Sequence, residues 1–313
     1  MSTTAAIRLD PLAGGAAGRP LDPAVAAIAE QLGRESGAAA VLFYGSNLRT
    51  GSLEGVLDFY VLLPGPPEKG LWPLVSYREW DRGGHRLRAK IATMQLATFA
   101  EAAAGHTLDT TIWSRFVQPS ALAWVRGPLE AAAVEEALRA AARTAAWLAV
   151  ALGPRSGTEE EYWRALFRAT YRAELRVEAA GREDMILSAN RAHFSGLLPR
   201  AMAEEGIAFE QWGEQQGTIV TPQLAERERR GILRWWERRR RLGKPLNILR
   251  LLRAAATFEG AARYAAWKIE RHTGVAVEIT PWRERHPVLA APGILWRVSR
   301  RRRGSAAAVD QKA

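Results

Sequence analysis

The chain has 313 residues, 48% of them hydrophobic and 25% charged, no cysteine, and 44 Lys and Arg against 33 Asp and Glu for a net charge of +11. This composition excludes a disordered or fibrous chain. The absent thiols exclude a disulfide framework and any zinc or iron–sulfur centre built on thiolates. The length suits two domains, or one with a substantial appendage.

The charge is unevenly spread. Residues 225–313 hold 22 Lys and Arg and 8 Asp and Glu, a local +14, which leaves −3 for the rest. Such asymmetry points to a polyanionic partner for the C-terminal part, either nucleic acid or an anionic membrane surface. A spanning helix takes about 20 consecutive apolar residues, and the longest apolar run, residues 145–153, is far shorter. The N-terminus has neither the basic start nor the apolar stretch of a signal peptide. The expected location is therefore cytoplasmic.

Residues 1–20 are rich in Ala and Gly and are expected to be mobile. Asp22 followed by Pro23 is an N-cap with proline in the first turn and predicts a helix over 24–32. The apolar run 38–44, ended by Gly45-Ser46, predicts a buried strand. A connection through Gly51-Ser52 leads to a second apolar strand, 56–63, closed by Pro64-Gly65-Pro66-Pro67. Residues 85–93 alternate basic and apolar, which predicts a half-exposed strand with Arg86, Arg88 and Lys90 on one face. From about Leu96 the pattern is helical, with helices over 128–152 and 159–178. A very basic helix over 227–241 is expected to end at Gly243-Lys244-Pro245, and a long amphipathic helix over 246–272 to stop at Gly274. A Pro- and Trp-rich segment follows and closes with four arginines, Arg300 to Arg303.

The chemistry is concentrated in Gly45-Ser46, at the end of one strand, and Asp58, in the next. Glycine lets backbone approach a phosphate closely and serine adds a hydroxyl. A carboxylate on the adjoining strand suits Mg²⁺, which takes oxygen ligands and bridges phosphates. Arg86, Arg88 and Lys90 could neutralise those phosphates, or form a solvated strand edge.

The pattern resembles that of the nucleotidyltransferase superfamily, in which Gly-Ser is followed after about ten residues by Asp-x-Asp. Here the second acid is replaced, in Asp58-Phe59-Tyr60. Within that superfamily, Phe43-Tyr44-Gly45-Ser46 with Leu57-Asp58-Phe59 is similar to elements of the mitochondrial-type CDP-diacylglycerol synthases, the translocator assembly and maintenance family. Lys90-Ile91-Ala92-Thr93 resembles that family's Lys-Tyr-Gly-Val strand. Ser114-Arg115-Phe116-Val117-Gln118-Pro119 resembles its Gly-Arg-x-His-Lys-Pro segment, and Ala173-Glu174-Leu175-Arg176-Val177, with Glu178 beyond, its Gly-Asp-x-Arg-Met motif. The order holds from Phe43 to about Arg200. The departures are Gln118 for the lysine before proline and Glu174 for the aspartate.

The resemblance implies an α+β fold: a nucleotidyltransferase-like mixed sheet with helices over 21–127, a helical, winged-helix-like domain over 128–225, a basic amphipathic membrane-surface region over 226–303, and a disordered tail over 304–313. It implies an enzyme that joins CTP to phosphatidate, giving CDP-diacylglycerol and pyrophosphate, with Mg²⁺ as cofactor. By that resemblance Asp58, Lys90 and Arg115 are the reacting-site residues, Tyr44, Gly45, Ser46 and Arg176 bind the nucleotide, and Asp58 and Glu174 hold the metal. Asp109 and Glu178 are further candidates for the second metal ligand. A phosphate monoester acceptor is already anionic, so no general base is required, in keeping with five scattered histidines. An acceptor that is a soluble small molecule or an RNA, and an inactive relative acting as a lipid- or partner-binding module, stay open.

In the tail, Trp235 and Trp236 beside many arginines fit an interfacial helix that places the protein peripherally on the inner face of the membrane. The alternative is a packed helix with a solvated basic face. The same charges suit nucleic acid, but no recognisable motif accompanies them, so nucleic acid is not the expected partner.

Overall fold

A computed structural model describes residues 7–9, 20–82, 85–173, 181–213, 218–257, 260–273 and 277–282. The chain is an α+β protein. Among the described residues, six strands form one mixed sheet in the order β1-β6-β2-β3-β5-β4: β1 Ile7–Leu9, β2 Ala40–Tyr44, β3 Leu57–Leu63, β4 Leu74–Arg82, β5 His85–Gln95 and β6 Ser120–Val125. Neighbours are antiparallel except β3 and β5, which run parallel. Residues 7–9, within the stretch expected to be mobile, pair with β6.

Both faces of the sheet are covered, which is why β2 and β3 are nearly continuous apolar runs. On one face lies helix α1, Pro23–Ser36. Asp22 caps it by accepting the Ala24 amide at 2.8 Å. Its Val25, Ile28, Ala29 and Leu32, spaced at helical period, pack on Val41, Phe43, Phe59, Val61 and Ile91. The other face carries α3, Leu96–Ala103, α4, Thr111–Phe116, and the long α5, Pro128–Leu152, on Leu42, Tyr60, Leu62 and Met94. The buried alanines of α5 let α3, α4, α6 (Glu159–Ala173) and α9 (Leu197–Glu204) all approach it. Between α6 and α9 lie α7, Arg182–Ala189, and α8, Arg191–Phe194. A small second sheet, ordered β7-β9-β8, joins Gly157–Thr158, Ile219–Pro222 and Phe209–Trp212.

Three expectations need correction. Residues 120–125 lie in the region given as helical but form β6 beside β2. Its Ser120 to Ala123 are all buried, so no alternation marks it. The basic segment does not stop at Gly243-Lys244-Pro245, because α10 runs unbroken from Glu226 to Thr257 with Pro245 inside it. Packing overrides the local signal. Gly243 is pressed against the end of α6, where a Cβ would stand 2.7 Å from the Ala173 carbonyl oxygen. Nor do residues 246–272 form one helix: α10 ends at Thr257, Gly260 stands at φ 79°, and a separate helix α11, Ala261–Thr273, lies on β4 with the Tyr264 and Tyr77 rings 5.4 Å apart. Residues 283–313, including the four terminal arginines, lie outside the described residues.

Helix α10 packs on α5 and α6. Its Ile232 and Trp236 are 1% and 4% exposed, and Trp235 meets Trp113 and Trp147 at 6.2 and 5.1 Å. The tryptophans therefore belong to the protein core, not to a lipid-facing surface. Two of the arginines are structural as well. Arg229 donates to the Ala151 and Gly153 carbonyls at the end of α5, both at 2.9 Å. Arg239 is buried over the Trp235 ring at 3.7 Å and donates to the Gly105 carbonyl at 2.7 Å, and this burial lowers its pKa to about 10. The exposed face keeps Arg227, Arg230, Arg234, Arg238 and Arg241. No helix among the described residues is long and apolar enough to cross a membrane.

Trp236→Ala is expected to cost about 3–5 kcal/mol, the usual range for emptying a buried aromatic site, measured by urea unfolding. Arg234→Ala on the exposed face should stay within about 0.5 kcal/mol of wild type. A Trp236 variant as stable as wild type would contradict this packing.

Candidate functional site

The site is set by the pairing of β2 with β3, whose register puts Tyr44 opposite Asp58. From Tyr44 the chain turns through Gly45, at φ 89° and ψ −162°, into the short helix α2, Ser46–Thr50. A Cβ at residue 45 would stand 3.1 Å from Asp58 Oδ2. Positive φ and close approach to the carboxylate both select glycine. The first amides of α2 have no carbonyl partner within the helix, so this turn presents backbone donors beside Asp58. Asn47, 7% exposed, donates to the Ser52 and Glu54 carbonyls at 2.8 and 2.7 Å. It folds the following loop back under α2 and so fixes where β3 begins.

Lys90 on β5 is the parallel neighbour of Asp58. Arg115, near the end of α4, donates from Nη1 to the Tyr60 hydroxyl at 2.9 Å. Its guanidinium lies 5.4 Å from the Tyr44 ring centre and 5.8 Å from that of Tyr60. These residues meet in a cavity of about 550 Å³, walled on one side by Tyr44, Gly45, Ser46, Arg49, Asp58, Lys90, Arg115 and Gln118. Tyr171, Met185, Ile186 and Asn190 wall the other. Burial pushes the Asp58 carboxyl above the ordinary aspartate value, against the pull of Lys90 and Arg115. Burial likewise raises Tyr60, which Arg115 partly offsets.

Six sequence-predicted residues, Tyr44, Gly45, Ser46, Asp58, Lys90 and Arg115, thus line one cavity. Glu174, Arg176 and Glu178 lie outside the described residues. Arg86 and Arg88 are not brought in. Arg86 is exposed and pairs with Asp81 at 3.2 Å, while Arg88 sits between Glu79, at 3.5 Å, and the Trp267 ring, at 5.6 Å. Asp109, a candidate ligand, does not line the cavity either. It accepts the Thr111 and Ile112 amides at 3.0 and 3.1 Å, capping α4, and pairs with Arg250 of α10.

The metal that the resemblance implies can be tested against these side chains. Among the described residues no group of three or more His, Asp or Glu is placed to hold a metal, and Asp58 is the one carboxylate on the cavity wall. Mg²⁺ is commonly held by one or two carboxylates plus substrate phosphates and water. A single ion arriving with a triphosphate fits Asp58; a two-ion site does not fit the described side chains.

Sequence reasoning missed three contributors. Tyr60, noted only as a missing acid, anchors Arg115; two residues beyond Asp58 on a strand, it necessarily shares that face. Arg49 adds a further cation to the wall. Asn47 works through distant carbonyls that no local pattern announces. No protein-family model matches this chain, and no curated protein is significantly similar to it.

Because the folded chain binds the Asp58 proton more tightly than the unfolded chain, ionising this carboxyl costs folding stability. The cost is absent below the ordinary value of 3.8 and complete once pH exceeds the raised folded-state value. Asp58→Asn is therefore expected to raise the urea midpoint at neutral pH and to lose that advantage as pH falls below 3.8. An Asn variant less stable at neutral pH would contradict this.

Proposed function

We propose that the cavity binds a nucleoside triphosphate and that the protein transfers its nucleotidyl group to a phosphate-bearing acceptor. The observation that carries this reading is the meeting of the Gly45-Ser46 turn, Asp58, Lys90 and Arg115 in one cavity. The Gly45 turn and α2 connect β2 to β3, and β3 carries the carboxylate opposite Tyr44.

In this reading the amides and hydroxyl of the Gly45-Ser46 turn cradle the terminal phosphates. Lys90 and Arg115 neutralise them. Asp58 would hold Mg²⁺, which when bound supplies charge neutralisation at the phosphates. An acceptor phosphate oxygen attacks the α-phosphorus in line, the bond to the bridging oxygen breaks, and pyrophosphate leaves with the electron pair. The acceptor is anionic at neutral pH, so the residues orient it and withdraw no proton.

The particular reaction we propose, from the family resemblance, is that of CTP with phosphatidate to give CDP-diacylglycerol at a membrane surface. The exposed arginine row of α10 supports a peripheral contact with anionic lipid. Because Ile232, Trp235 and Trp236 are packed inward, that contact rests on charge and on exposed apolar residues farther along α10, Ile248 and Leu249. That Asp58 is the one carboxylate among the described lining residues favours a second reading, a nucleotide-binding module without transfer.

Purified protein with CTP, Mg²⁺ and phosphatidate vesicles is expected to release pyrophosphate, and Asp58→Ala to lower the rate at least about 100-fold, the scale of losing one preorganised electrostatic group. Sedimentation with anionic vesicles should weaken as salt rises. Nucleotide binding without pyrophosphate release would favour the second reading. Release that is unchanged in Asp58→Ala would refute the site.

A further inference from the structure

We infer that Tyr60 is a positioning residue that converts the place of a second metal ligand into the anchor of a fixed cation, so that ligand phosphates meet Arg115 in place of a second metal ion. The inference rests on the nucleotide reading above and concerns how that site neutralises charge.

On β3, Asp58 and Tyr60 point to the same face, so a carboxylate at residue 60 would share the wall of Asp58. The surroundings of residue 60 suit an aromatic ring instead. Tyr60 is 1% exposed, and its ring centre lies 5.5 Å from that of Tyr44, 5.1 Å from Phe116 and 6.3 Å from Phe99. An ionised carboxylate enclosed by these rings would pay a large desolvation penalty.

The Tyr60 hydroxyl is the one polar atom of this ring, and it accepts from Arg115 at 2.9 Å. The guanidinium also lies near the Tyr44 and Tyr60 rings, so hydrogen bond and ring contacts hold it together. A planar guanidinium held in this way presents a phosphate fork at little further entropy cost, which a lysine ammonium cannot reproduce. Among the described residues, Arg49 and Lys90 share this wall with Arg115 and with the carboxylate of Asp58. A triphosphate brings more negative charge than one Mg²⁺ cancels, and the anchored guanidinium of Arg115 meets part of the remainder.

The test is titration calorimetry of the full chain with inorganic tripolyphosphate and with CTP, each in Mg²⁺ and in EDTA. Wild type is expected to keep binding in EDTA, within about tenfold of its affinity with Mg²⁺. Tyr60→Phe, which keeps the ring and removes the acceptor, should weaken binding ~10-fold, more in EDTA than in Mg²⁺. Arg115→Lys should do the same if Tyr60→Phe does not fold by circular dichroism. A Tyr60→Phe protein that binds like wild type in both buffers, or wild-type binding that vanishes in EDTA, would overturn the inference while leaving the nucleotide reading intact. Wild type that binds neither probe in either buffer would overturn both.

Discussion

The candidate site depends on one register. Tyr44 of β2 stands opposite Asp58 of β3, and the next residue, Gly45, turns the chain directly against the Asp58 carboxylate. Strand side chains alternate between faces, so a slip of one residue would turn Asp58 towards α1 and its apolar face. The slip is opposed on both sides. Leu57, Phe59 and Val61 are buried beneath α1, and Tyr60 and Leu62 beneath α3 to α5. The two cores therefore hold in place a polar turn that neither would select by itself. The cost is visible at Asp58, whose burial works against its own ionisation, as expected where a site is maintained against local stability.

Arg115 is held in the cavity wall by equally non-local means. Arg115 comes from α4, whose first turn is capped by Asp109, and Asp109 is paired with Arg250 of α10. Arg250 in turn lies 4.6 Å from the Trp72 ring centre. Helix α10 thus serves the site from a distance. Trp235, Trp236 and Arg239 fix it against α4, α5 and the turn at Gly105, while its C-terminal half reaches the loop that starts α4. Part of the basic tail is consequently framework, and among the described residues the exposed row from Arg227 to Arg241 keeps positive charge available to a polyanionic partner.

How much of this the sequence carries depends on the range of the interactions. The Asp22-Pro23 cap announces α1, and the alanine-rich periodicity of residues 128–152 announces α5 at its observed bounds. The Gly45-Ser46 and Asp58 spacing locates the turn because both elements lie on one strand pair. Where a segment is buried on both faces, as β6 is, no alternation distinguishes strand from helix. Pro245 is a strong local stop signal, yet it stands inside α10, because packing along that helix outweighs one lost hydrogen bond. Arg86 and Arg88 share a face with Lys90, and only the pairing with β4 and α11 shows that partners from those elements engage them. Tyr60 is the most instructive case. As a departure from Asp-x-Asp it looks like a loss of function, and only Arg115, 55 residues away, gives its hydroxyl a partner.

The proposed nucleoside triphosphate site is the cavity bordered by the Gly45 turn and α4. Hydrogen–deuterium exchange with and without CTP and Mg²⁺ tests it most directly. Slowed exchange is expected in the segments spanning residues 44–60 and 111–118, with little change in the cavity lined by Glu159, Arg191 and Ser195. Protection confined to that second cavity, or no protection anywhere at saturating CTP, would contradict it.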